Sequence, residues 1–247
     1  MIATMVGPTP LHRPRLVLFD LDGTLADTAP DLVAPINAMR LARGMEAMPF
    51  GRLRPHASAG ARGLIGAGLG IAKDDPEFEA LKADFLARYE AAMVVQTRLF
   101  AGMDELLDQL EDAGIAWGIV SNKVERYVRW IVEALGLHQR AAAVVGGDTA
   151  PRPKPFPDPL LLALEQTRTT AAEAVYVGDD IRDLQAARAA GMPMIAAAYG
   201  YVGLESPPEL WGADAVVARP GEIAGLIGIC ADRAQSAELT GRERRPR

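Results

Sequence analysis

Two carboxylates one residue apart, Asp20 and Asp22, follow directly on the apolar run Leu16-Val17-Leu18-Phe19, and Gly23 and Thr24 come next. Such a run reads as a buried strand, and charge buried at its mouth is costly unless a partner such as a metal ion compensates it. Gly23 permits a sharp turn, including one through positive φ, so that both acids face one crevice. At neutral pH the Asp20 carboxylate is ionised and is a candidate nucleophile towards phosphorus. Asp22, beside the leaving group, is a candidate acid and then base. Like charges this close oppose double ionisation unless a cation intervenes. Taken alone, the same residues also read as a solvated acidic turn.

Three further segments repeat the pattern of an apolar run ending in polar chemistry. Ile119-Val120 ends in Ser121-Asn122-Lys123, where the Ser121 hydroxyl and loop N–H groups are candidate donors to a phosphate oxygen; by itself the Ser-Asn pair reads better as a turn or cap. In Arg152-Pro153-Lys154-Pro155, prolines on both sides restrict Lys154, and a rigidly held ammonium suits developing phosphoryl charge. A basic proline-rich loop is the equal alternative. Val177-Gly178-Asp179-Asp180-Ile181-Arg182-Asp183 supplies hard oxygen ligands of the kind that favour Mg²⁺, and Asp180 or Asp183 also reads as a helix N-cap. Chance easily puts one such group at the carboxyl end of a strand; four at successive strand ends converge on one crevice.

The elements that must position these groups are short, nearly continuous apolar runs: Ile115–Val120, Ala142–Val145, Ala174–Val177, Met194–Ala198 and Ala215–Ala218 join the first as core strands. Helical patterns lie between them, at Asp104–Glu111 with Gly114 as stop, at Leu161–Gln166 opened by Asp158-Pro159, and at Asp183–Ala190 stopped by Gly191. Strand alternating with helix implies an α/β fold with a doubly wound parallel sheet. Residues 32–98 break this rhythm. They hold helical patterns at Leu32–Arg43 and Glu77–Met93 without a core strand, which predicts an inserted all-helical cap domain over the strand ends. The expected division is a flexible leader at 1–14, a core domain at 15–31 and 99–230, the cap domain at 32–98, and a flexible tail at 231–247.

Composition narrows the function classes. The chain has 247 residues, 49% of them hydrophobic and 23% charged, as in a globular domain with or without an insert. A net charge of −6 disfavours a nucleic acid or an anionic membrane as partner, without excluding a small anionic substrate. The single cysteine, Cys230, cannot form an internal disulfide, which points to the cytoplasm. No apolar stretch reaches the roughly 18 residues of a membrane span. Gly60, Gly63, Gly66, Gly68 and Gly70 lack nucleotide-loop spacing and read as flexible turns between cap helices. His12, His56 and His138 are scattered, which supports no histidine metal cage, and Trp117, Trp130 and Trp211 read as packing residues.

From about Arg15 to Leu226 the chain resembles the haloacid dehalogenase-like hydrolases, in the branch with a helical cap after the first strand. The residues that carry this resemblance are Asp20-Leu21-Asp22-Gly23-Thr24, Ser121-Asn122, Lys154 and Gly178-Asp179-Asp180. Within that superfamily, Gly146-Gly147-Asp148, the prolines Pro155, Pro157 and Pro159, and Tyr199-Gly200-Tyr201 resemble the phosphoglycolate phosphatase group. Ser58–Gly63 and Trp211–Asp214 resemble N-acetylmuramic acid 6-phosphate phosphatases. The resemblance implies a Mg²⁺-dependent phosphatase acting on a small phosphorylated metabolite through an aspartyl-phosphate, as a monomer or homodimer. It implies Asp20 as nucleophile and Asp22 as acid and base. Mg²⁺ would be held by the Asp20 carboxylate, the Asp22 backbone carbonyl and Asp179. Ser121, Asn122 and Lys154 would bind the phosphoryl group, with Thr24 among them as the residue that orients the Asp loop, and Asp180 and Asp183 would support the site. Arg62 is expected near the far end of the substrate. A phosphomutase, or a module that holds phosphate on aspartate without turnover, are the competing readings; the acid at Asp22 argues for phosphate esters over dehalogenation.

Overall fold

In the computed structural model, which describes residues 11–204 and 206–229, six apolar runs form one parallel sheet. In chain order the elements are β1 (Leu16–Phe19), β2 (Ala26–Asp27), α1 (Ala29–Ala42), α2 (Phe50–Leu53), α3 (Gly60–Leu69), α4 (Phe78–Ala91), β3 (Arg98–Leu99), α5 (Met103–Asp112), β4 (Ala116–Val120), α6 (Glu125–Ala134), β5 (Ala143–Val145), α7 (Asp158–Thr167), β6 (Ala174–Gly178), α8 (Ile181–Ala189), β7 (Met194–Ala197), β8 (Ala215–Val217) and α9 (Glu222–Leu226). The sheet order is β5-β4-β1-β6-β7-β8. The strand order reverses at β1, so the crevice outside its carboxyl end, between β4 and β6, is where a doubly wound sheet binds ligands.

The sheet is apolar on both faces because helices cover both. Val17 and Phe19 of β1 belong to one buried cluster and Leu16 and Leu18 to another, as the two-residue period of a strand requires. The second cluster takes Leu160 and Leu164 of α7 and Leu184 of α8. The first takes residues of α5, α6 and α9 and runs on into the 32–98 segment through Ile36, Leu64, Phe85 and Tyr89.

Helices α1, α3 and α4 pack on one another, and the chain enters and leaves this segment through the antiparallel pair β2–β3. Asp31 of α1 ties the two crossings together by accepting from the Thr97 N–H and hydroxyl, both at 2.8 Å. The expected boundary at residue 32 thus falls inside α1.

Three expectations are corrected. Gly60, Gly63, Gly66 and Gly68 are not turns but lie in α3. A side chain at Gly68 would collide with Ile36 of α1, so this glycine allows close helix approach, and Gly70 supplies the left-handed C-cap. Trp117 and Trp211 are buried, whereas Trp130 on α6 is about half exposed, at 51%. Helix α7 begins at Asp158 itself, with Pro157 as its N-cap. Of the expected leader, residues 1–10 lie outside the described residues, while the Leu11 N–H donates to the Leu226 carbonyl at 2.9 Å. The expected tail and Cys230 also lie outside them. Among the described residues, no helix is long and apolar enough to cross a membrane.

Candidate active site

Asp20 leaves the end of β1, Ser121 the end of β4 and Asp179 the end of β6, so three adjacent strands deliver their polar residues to one crevice. Lys154, on the loop before α7, reaches the same crevice. Its ammonium is 3.0 Å from Asp20 Oδ1 and 2.7 Å from Asp183 Oδ1, and it donates to the Val120 carbonyl at 3.0 Å and the Tyr176 hydroxyl at 2.8 Å. Burial opposes the Lys154 charge, but Asp183 and Asp20 outweigh it and hold its pKa above the usual lysine value. Asn122 fixes the lysine's backbone by a two-way bond: its Nδ2 donates to the Lys154 carbonyl and its Oδ1 accepts from the Lys154 N–H, each at 2.8 Å.

The Asp loop is braced from the segment after β7. Asp179 accepts from the Thr24 hydroxyl at 2.9 Å and from the Tyr201 N–H at 2.8 Å. The Tyr199 hydroxyl donates to the Thr24 carbonyl at 3.0 Å. The Tyr201 hydroxyl accepts the N–H groups of Thr28 and Ala29, which opens α1, at 2.7 Å each. Gly23 has φ +91°, and a Cβ there or at Gly200 would strike Asp179, so glycine at both positions lets the two loops close on the carboxylate.

One carboxylate oxygen from each of Asp20, Asp179 and Asp183 lies within 4.8 Å of the others. Burial pushes Asp20 up to about 7, with Lys154 opposing and Asp183 and Asp22 adding to the rise. Burial, then Asp20 and Asp183, hold Asp179 well above the usual carboxylate range. Three crowded acids with a single ammonium among them are the electrostatic condition a cation relieves, and an all-oxygen donor set suits Mg²⁺. The residues fit that ion.

Several expected residues stand elsewhere than foreseen. Thr24 is fully buried and spends its hydroxyl on Asp179, so it holds an acid instead of a phosphate. Asp183, expected only as support, belongs to the acidic cluster and also closes a capping box with Asp180. Asp180 turns to Arg182, 2.7 Å away. Arg62 does not line the cavity over Asp20; with His56, Arg182 and Trp211 it lines an adjoining one of about 430 Å³.

The sequence reading missed Lys123. Its ammonium sits 2.8 and 2.9 Å from the two Asp22 oxygens, and the Thr28 hydroxyl also donates to Asp22. Burial opposes the Lys123 charge and Asp22 more than restores it, so Lys123 is a fixed cation. The two acids of the opening motif therefore have separate partners: Lys154 for Asp20 and Lys123 for Asp22. The one available signal was the adjacency of Lys123 to Ser121-Asn122 at a strand end.

Residues 17–197 match the family model described as haloacid dehalogenase-like hydrolase. The chain is 46% identical over 213 residues to a phosphoglycolate phosphatase of Xanthomonas campestris pv. campestris, covering 86% of this chain and 96% of that one. It is 41% identical over 215 residues to an N-acetylmuramic acid 6-phosphate phosphatase of Pseudomonas aeruginosa, covering 87% and 95%. The crystal structure of a predicted phosphoglycolate phosphatase from Haemophilus somnus superposes with a TM-score of 0.76 at 25% identity, over 87% of this chain and 98% of the other. With these matches spanning the sheet, the Asp loop and the helical segment alike, the chain belongs to the haloacid dehalogenase-like hydrolases.

Proposed function

We propose that the protein is a Mg²⁺-dependent phosphatase that hydrolyses a small phosphate monoester through a phosphorylated Asp20. The observation that carries this reading is the convergence of Asp20, Asp22, Ser121 and Lys154 on one cavity, each of the two leading acids with its own lysine. An Asp20 oxygen attacks phosphorus, the bond to the leaving oxygen breaks, and Asp22 gives that oxygen a proton. Asp22 then takes a proton from water, the water oxygen attacks phosphorus, and the bond to Asp20 breaks to release phosphate. Lys154 and Ser121 bind the phosphoryl oxygens, and Asn122 acts by holding Lys154 in place. Asp20, Asp179 and the Asp22 backbone carbonyl would hold Mg²⁺, with Asp183 in support. When bound, that ion neutralises charge on the phosphoryl group.

Helices α1–α4 serve as the cap in this account, covering the cavity and excluding water from it. The relatives' names offer two candidate monoesters, phosphoglycolate and N-acetylmuramic acid 6-phosphate. Both are small phosphorylated metabolites, in keeping with an acidic chain working in the cytoplasm. The expected result is phosphate release with Mg²⁺ that falls about a hundredfold or more in excess chelator and returns when Mg²⁺ is restored. A phosphate-release assay showing undiminished activity in chelator would contradict the proposal.

A further inference from the structure

Beside Asp179 the cap grips the core twice. Arg54, which follows α2 and is half-buried, donates from Nη1 to the Gly200 carbonyl at 2.9 Å and from Nη2 to the Tyr199 carbonyl at 3.2 Å. Its guanidinium also lies over the Tyr201 ring, 4.9 Å from the ring centre. Further along the same segment, the Ser58 carbonyl accepts from Arg182 Nη2 at 2.8 Å, and the Ser58 hydroxyl stands 3.4 Å from Asp179 Oδ2. Arg54 and Gly200 are 146 positions apart, so this contact exists only while the cap sits on the core.

The loop that Arg54 holds is the one that places Asp179. The Tyr201 N–H donates to Asp179 Oδ2 at 2.8 Å, and the Tyr201 hydroxyl accepts from the Thr28 and Ala29 N–H groups, where the chain enters the cap. The loop has no slack against the acid. A Cβ at Gly200 would stand 2.3 Å from the Asp179 Cβ and 2.4 Å from the Gly23 carbonyl oxygen, so the backbone is already packed on both. Arginine's planar fork loses little freedom per hydrogen bond, which suits it to fixing two successive carbonyls. A shift of those carbonyls carries directly to Asp179.

Resting on the reading of Asp179 as a Mg²⁺ ligand, we infer that Arg54 is a positioning residue for the cation. Seated on Tyr199 and Gly200, it holds the loop that aims Asp179, so the cap completes the metal site only when closed. Partners that orient metal ligands are worth about 10- to 100-fold in metal affinity. Such coupling is reciprocal, so bound Mg²⁺ in turn holds the cap against the core.

The test measures Mg²⁺ binding without substrate, as the rise of the thermal midpoint along a Mg²⁺ titration. It compares the wild type with Arg54→Met, Arg54→Lys and Arg52→Met, a control at an exposed position of α2. Arg54→Met is expected to need about tenfold more Mg²⁺ for the same rise, and for half-maximal phosphate release, with kcat at saturating Mg²⁺ within about threefold of the wild type. Arg54→Lys keeps the charge and a donor without the fork and is expected to recover part of the loss. Arg52→Met is expected to bind as the wild type does. In the wild type, Mg²⁺ should also slow amide exchange across residues 50–62, a measurement that needs no variant to fold. Mg²⁺ affinity unmoved in a folded Arg54→Met protein, or exchange at 50–62 that Mg²⁺ does not slow, overturns the inference and leaves Asp179 as a ligand. A wild type that binds no Mg²⁺ overturns the reading of the site as well.

Discussion

Asp20→Asn is expected to lower phosphate release by at least ~10⁴-fold while the protein stays folded. The amide cannot attack phosphorus as the carboxylate does, and no neighbouring group substitutes for it: Asp22 is held by Lys123 and Thr28, and Asp179 by Thr24 and Tyr201. Stability should be unchanged or raised, because the neutral isostere relieves the crowding that pushes Asp20 up to about 7. Lys154 keeps Asp183 as a counter-ion. A thermal melt beside the phosphate assay separates the two effects. Activity within tenfold of the wild type would remove Asp20 from the chemistry.

Lys154→Met carries the second large effect, and here stability and activity fall together. The lysine is 3% exposed and is the ammonium shared by Asp20 and Asp183, with the Val120 carbonyl and Tyr176 hydroxyl beside it. Removing one partner of a buried pair leaves the other charge uncompensated, at a cost of about 3 kcal/mol. Loss of a preorganised cation at the phosphoryl site costs in addition about a thousandfold in kcat. Urea unfolding reads the first quantity and steady-state kinetics the second. A Lys154→Met protein as stable as the wild type would show that the lysine does not hold the acids together.

The sheet and the residues at its strand ends were legible because each is written locally. An apolar run of four or five residues that stops at charge marks both the strand and its carboxyl end, as at Phe19-Asp20 and Gly178-Asp179. What escaped depends on contacts distant in sequence. Lys123 carries no local sign of its partner because Asp22 lies 101 positions away, and only the pairing of β1 with β4 brings them together. Thr24 carries a hydroxyl that suits a phosphate, but the fold turns it onto Asp179, 155 positions on. Helix α3 was hidden by its glycines, which weaken helices in isolation; at Gly68 the glycine is required because Ile36 of α1 packs directly against it. Arg62 follows Ser58–Ala61 by one residue, yet those four line the cavity over Asp20 and Arg62 lines its neighbour.

The central claim is that Asp20 carries the phosphoryl group and Asp22 moves the proton. The Asp22→Asn variant with p-nitrophenyl phosphate tests it most directly, because nitrophenolate departs without needing a proton, whereas attack by water still needs a base. The account predicts a burst of about one nitrophenolate per protein followed by slow turnover. Peptide mass spectrometry after rapid quenching should find the phosphoryl group on Asp20. No burst, or a phosphoryl group on any other residue, would contradict it.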